Sequence, residues 1–146
     1  MVKRRWLVAA GAVIGLAAVV LLFLRWWTSP RLEESGGAVA VVDGRSLSLV
    51  QASSGVGISG RLGLLGGRCV GLAATADSPG RVIVWPPGTT LQGEGADLRV
   101  ESGGHSVRIG EAVEGGSEQR QDVGGHASLL PPECSAFRLV DVSLGR

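Results

Sequence analysis

Apolar and polar positions divide this chain into two regimes. From Trp6 to Leu24 no side chain is charged, and the run lies between Lys3-Arg4-Arg5 and Arg25-Trp26-Trp27. At a rise of about 1.5 Å per residue those positions make a helix of about 28 Å, close to the hydrocarbon thickness of a bilayer. The pattern predicts a cytoplasmic stub over 1–5, a transmembrane helix over 6–24, a polar tether over 25–36 and a folded domain over 37–146.

In the second regime no stretch holds apolar residues at helical spacing with caps. Short apolar runs limited by glycine or proline take their place, as strands do. They fall at 38–42, 46–50, 69–74, 81–85, 97–101, 106–113 and 136–143, with the hairpin dipeptide Asp43-Gly44 between the first two. Residues 51–60, small and polar, read as a loop. This spacing predicts an all-β domain, a small OB-like β-barrel or a sandwich, behind one N-terminal transmembrane helix.

Charge sets the orientation. Lys3, Arg4, Arg5 and Arg25 are the only charged residues among the first thirty, so ten arginines face all 13 acids in the rest of the chain. The basic N-terminus favours a cytoplasmic start and an extracytoplasmic C-terminal domain. Trp6 at one border and Trp26 and Trp27 at the other suit the membrane interfaces, where an indole keeps its N–H hydrated. The apolar run is too long for a secretory leader, and no small-residue cleavage site follows it, so an uncleaved signal anchor is expected. Gly11 and Gly15 form a GxxxG pair, a pattern that lets two membrane helices approach and makes a homodimer through the helix a candidate. The net −3 of the part beyond residue 30 gives no basic face for nucleic acid.

All but two of the 24 glycines lie beyond Ser35, together with only Trp85 and Phe137 as aromatics. A core built so thinly needs a staple. Cys69 and Cys134, the two cysteines, are expected to pair. By loop-closure entropy a bond of that span is worth about 4 kcal/mol.

Chemistry is scarce. Gly55-Val56-Gly57-Ile58-Ser59-Gly60 matches GxGxxG, but three more glycines in the next seven residues deny it the helix a dinucleotide site requires. In Val82-Ile83-Val84-Trp85-Pro86-Pro87-Gly88-Thr89 a β-branched strand ends in a proline turn, and Trp85 reads first as a plug for one end of the core. Its other role would be a ligand platform. Cys69, Val84-Trp85-Pro86-Pro87-Gly88-Thr89, Ile109-Gly110-Glu111-Ala112-Val113, Gly115-Gly116 and Cys134 give the chain its one family likeness. Over residues 69–134 it resembles small membrane-anchored or secreted actinobacterial proteins with a Cys…VWPxGT…GG…Cys pattern, although Glu111 stands where an Asp is expected. The resemblance implies one folded unit with paired cysteines and no particular activity.

His105 and His126 are too far apart to suggest a metal site, no Gly-x-Ser-x-Gly elbow is present, and paired cysteines leave no nucleophilic thiol. No cofactor, metal or catalysis is expected. The reading is a membrane-anchored extracytoplasmic β domain that serves as a protein-interaction module or accessory subunit beside a membrane or envelope protein. The alternative is a module binding a small ligand, an envelope glycan or a metal.

Overall fold

The computed structural model describes residues 15–26, 28–44, 56–118, 126 and 128–144. Its first element is a helix over 15–26. The hydroxyls of Thr28 and Ser29 donate to the carbonyls of Leu24 (3.0 Å) and Arg25 (2.6 Å), occupying acceptors at the helix end. Pro30 follows, and strand pairing begins with the next residue.

Among the described residues the strands are β1 (Arg31–Ser35), β2 (Ala38–Val42), β3 (Val56–Leu65), β4 (Cys69–Leu72), β5 (Arg81–Trp85), β6 (Thr90–Gln92), β7 (Arg99–Ser102), β8 (His105–Arg108), β9 (Ala112–Glu118) and β10 (Arg138–Leu144). Antiparallel pairing of β1 with β2 sets Ser35 opposite Ala38 and Arg31 opposite Val42. The turn between them, Gly36-Gly37, has φ of 55° and 79°. Two positive φ values suit the right-handed twist of a tight hairpin, and glycine adopts them without steric cost. Gly103-Gly104 repeats the device between β7 and β8, with φ of 57° and 83°. The polar tether expected over 25–36 is thus mostly helix end and strand. Its sequence hid the strand because Leu32 alone carries the apolar signal, packed against a buried cluster.

Seven strands form a mixed sheet in the order β1-β2-β4-β3-β9-β10-β5, and β6-β7-β8 form a second, antiparallel sheet. β5 lies parallel to β10 and, over two residues, to β2. A two-residue antiparallel ladder also joins β4 to β5, which bends the large sheet back on itself. This is a mixed, sandwich-like β fold and no closed barrel. The expected OB-like form is corrected on that point, because the seam is only two residues long and β2 also pairs across it.

Burial explains the runs of apolar residues. All five residues of β2 are buried, as are Val82 to Trp85 of β5, because both strands are covered on both faces. On one side Ala38, Ala40, Val42, Ile83 and Trp85 join Leu62, Val100 and Val140 in the main core. On the other, Val41, Val82 and Val84 join Leu65 and both cysteines in a smaller cluster. Each large aliphatic side chain so buried is worth about 1.5–3 kcal/mol. The disulfide is present, with Cys69 and Cys134 Cα atoms 5.8 Å apart. It staples the turns before β10, with Leu130 and Phe137, over the smaller cluster.

Two further expectations change. Residues 56–60, read as loop, open β3, whose Gly60 and Gly63 accept close neighbours: a Cβ would stand 3.1 Å from Leu72 Cδ2 and 3.1 Å from the Ala73 Cβ, respectively. Residues 106–113, read as one strand, are β8, a turn and the start of β9, since Gly110 has φ 93° and Glu111 Oε2 accepts from the Arg108 N–H (2.9 Å). The strand expected over 46–50 lies outside the described residues.

Candidate functional site

The turn after β5 and the hairpin of β7 and β8 flank a cleft of about 390 Å³. A buried hydroxyl pair joins its two walls. Thr89 Oγ1 donates to the Pro86 carbonyl (2.7 Å) and pairs with the Ser102 hydroxyl (2.8 Å), so the proline turn is locked to the second sheet. Gly88, Thr90, Glu101, His105 and Ser106 contribute to the lining. Thr90, Glu101 and Ser106 stand in one cross-strand row, which projects them from the same face of the small sheet.

The one carboxylate among the described lining residues is already engaged. Glu101 Oε1 lies 3.3 Å from Arg99 Nε, and its Oε2 accepts from Gln92 Nε2 at 3.1 Å. Arg99 in turn donates to Gln92 Oε1 at 3.2 Å. Side chains this exposed make a network of small energetic weight. Together the hydroxyls, His105 and the glycine backbone offer hydrogen bonds to a small polar group, with no acid–base pair set against a nucleophile.

Trp85 lies behind this wall, fully buried at 0% exposure. A ring with no exposed face cannot stack on a ligand, so the platform role expected as an alternative does not suit its placement, and the plug does. Among the described residues its Nε1 has no hydrogen-bond partner. Beside it, the Asp43 N–H donates to the Trp85 carbonyl (2.8 Å). Asp43 Oδ1 accepts from the Gly44 N–H (2.8 Å) and lies 3.1 Å from His126 Nε2. His126 is only 8% exposed, in contrast to exposed His105, so the two histidines differ where sequence treated them alike. Sequence reasoning missed the His126–Asp43 pair. The partners are 83 residues apart, and nothing local marks either one.

The remaining sequence candidates fall as follows. Gly57 and Gly60 of the GxGxxG match sit on β3, paired to Gly116 and Val113 of β9, where no helix follows to receive a pyrophosphate. No group of three metal-ligating side chains occurs among the described residues. The titration of Glu133 is displaced. Hydrogen bonding from its own backbone amide holds its carboxyl below the usual range against an opposing desolvation, and Arg68, whose Nη1 is 2.8 Å from Oε1, adds to the lowering.

On the helix, Leu16, Val19, Leu21, Leu22 and Phe23 are all more than half exposed, and Trp26 is 74% exposed. A Cβ placed on Gly15 would meet nothing. Trp6, Gly11, Trp27 and residues 6–14 of the expected span lie outside the described residues. No helix among the described residues is long and apolar enough to cross a membrane. Comparison with known proteins brings no relative: no family model, curated protein or solved structure matches the chain.

Proposed function

We propose that this chain is a single-pass membrane protein whose β domain is extracytoplasmic and acts as an interaction module or accessory subunit, without catalysis. The observation that carries the reading is the helix over 15–26. It exposes a nearly unbroken apolar surface, is continuous with the apolar sequence before it, and is followed from Arg31 by a disulfide-closed β domain. Such a surface suits lipid, which exacts no cost for exposed leucine. A disulfide suits an oxidising compartment, in agreement with the basic N-terminus staying inside. Gly11 and Gly15 make a helix-mediated homodimer a further part of the proposal, and Trp6, Trp26 and Trp27 its interfacial anchors.

The ligand-binding alternative has the cleft in its favour but must work without Trp85. In-cell cross-linking of the tagged full chain with mass spectrometry separates the two. A stoichiometric membrane or envelope protein supports the accessory role. Recovery of the chain only with itself, together with a response of His105 to envelope glycans, would favour the ligand module.

A further inference from the structure

The strands share a polarity that relates the domain to its helix. Only Ser29 and Pro30 separate the helical turn at Thr28 from β1, so the domain cannot swing on a leash. Gly44 packs against the Thr28 carbonyl, which places the end of β2 beside the end of the helix. β1 runs away from that point to the Gly36-Gly37 turn, and β2 returns to it. β5 is parallel to β2, with Val42 beside Trp85, so Pro86, Pro87 and Gly88 also emerge at the helix end. β6 then runs outward to Gly93, whose carbonyl accepts from the Ser35 hydroxyl (2.8 Å), and β7 comes back to Gly103-Gly104. One end of the domain thus carries Gly44, Gly88 and Gly103-Gly104. The other carries Gly36-Gly37 and Gly93, a strand length of about 16 Å away.

Charged side chains stand at both ends. At the far end Arg68 donates to the Gly37 carbonyl (3.0 Å) and pairs with Glu133, and Arg81 lies cross-strand from Arg138. The near end carries Asp43, close to His126, together with Arg31, which is cross-strand from Val42 and paired with Glu33, and Glu101 of the cleft, so the strand polarity and not the charge tells the two ends apart. From this we infer that the near end is a membrane-facing surface: Gly44, Gly88 and the Gly103-Gly104 turn rest on the lipid headgroups, and the cleft between Gly88 and His105 opens onto them. With the helix in the bilayer, the end of the domain that adjoins Thr28 is the end that meets the headgroups, and the exposed Arg31 there suits their phosphates. The far end is then the surface left to a protein partner. The inference rests on the proposed membrane anchoring.

The test uses the full chain in nanodiscs of phosphatidylethanolamine and phosphatidylglycerol, with nitroxide lipids and amide relaxation measured by NMR. A headgroup nitroxide is expected to speed relaxation several-fold at Gly44, Gly88, Gly103 and Gly104, and to leave Gly36, Gly37 and Gly93 near their values without it. Equal or stronger effects at the second set overturn the inference. So does a response to an acyl-chain nitroxide in helix residues 16–24 with no headgroup effect on either set, an outcome that leaves the anchor reading intact. Failure of the chain to associate with the discs overturns both.

Discussion

Trp85 is the most informative single residue to change, because two opposing terms meet at its ring. It is the largest fully buried side chain, and its indole N–H lacks a partner among the described residues. Truncation to alanine removes the centre of the main core and leaves a cavity beneath the proline turn, at a cost of about 3–5 kcal/mol. A domain of this size has only about 5–15 kcal/mol in total, so Trp85→Ala leaves it marginal. Trp85→Phe acts differently. It loses the smaller part of the ring system, worth about 1 kcal/mol with its residual cavity. It also removes a buried orphan donor whose burial costs about 1–3 kcal/mol. The expected net change is within about 1 kcal/mol of zero or stabilising, by the difference of those terms. Urea unfolding of the full chain in mild detergent, followed by strand circular dichroism, measures it; fluorescence is confounded by Trp6, Trp26 and Trp27. If Trp85→Phe costs as much as Trp85→Ala, the orphan-donor account is wrong and the N–H has a partner.

Three further outcomes are expected. Replacing Cys69 and Cys134 together by alanine lowers stability by about 4 kcal/mol from loop entropy alone, read as a drop in urea midpoint; free alkylation of both thiols in quenched, unreduced cells would argue against an extracytoplasmic domain. Gly36→Ala destabilises more than Gly37→Ala. Both positions have positive φ, worth about 1–2 kcal/mol for a side chain, but a Cβ on Gly36 also comes within 2.6 Å of Glu94 Cβ while one on Gly37 meets nothing; equal thermal shifts would show that the Glu94 contact yields freely. Glu133 titrates below an ordinary glutamate, so its contribution to stability is present above the unfolded-state pKa and is lost as pH falls through the folded one. In an NMR titration Arg68→Ala raises its midpoint only part of the way, because the backbone hydrogen bond is the larger cause; full recovery would reverse that order.

How much of this was legible in the sequence depends on the range of the interaction involved. The strands at Ala38–Val42 and Arg81–Trp85 were readable because continuous apolar residues bounded by turn residues require cover on both faces. The cysteine pair was readable because a thin core needs a covalent link. β3 was not, since its glycines carry no apolar period and are strand residues only because Leu72 and Ala73 press against them. β1 escaped for the opposite reason: polar residues became a strand when two glycines folded them onto β2.

Sequence alone therefore determined the β class, the disulfide and the apolar N-terminal run, all of which rest on composition and local pattern. Tertiary structure alone decided what meets what. It bent the large sheet across the short β4–β5 seam, buried Trp85 with its N–H unpaired, and drew His126 to Asp43 across 83 residues. It also aligned β2, β5 and the Gly103-Gly104 turn at the helix end. Each is a contact between residues distant in the chain, chosen by packing and hydrogen-bond satisfaction after collapse, and no local pattern encodes it.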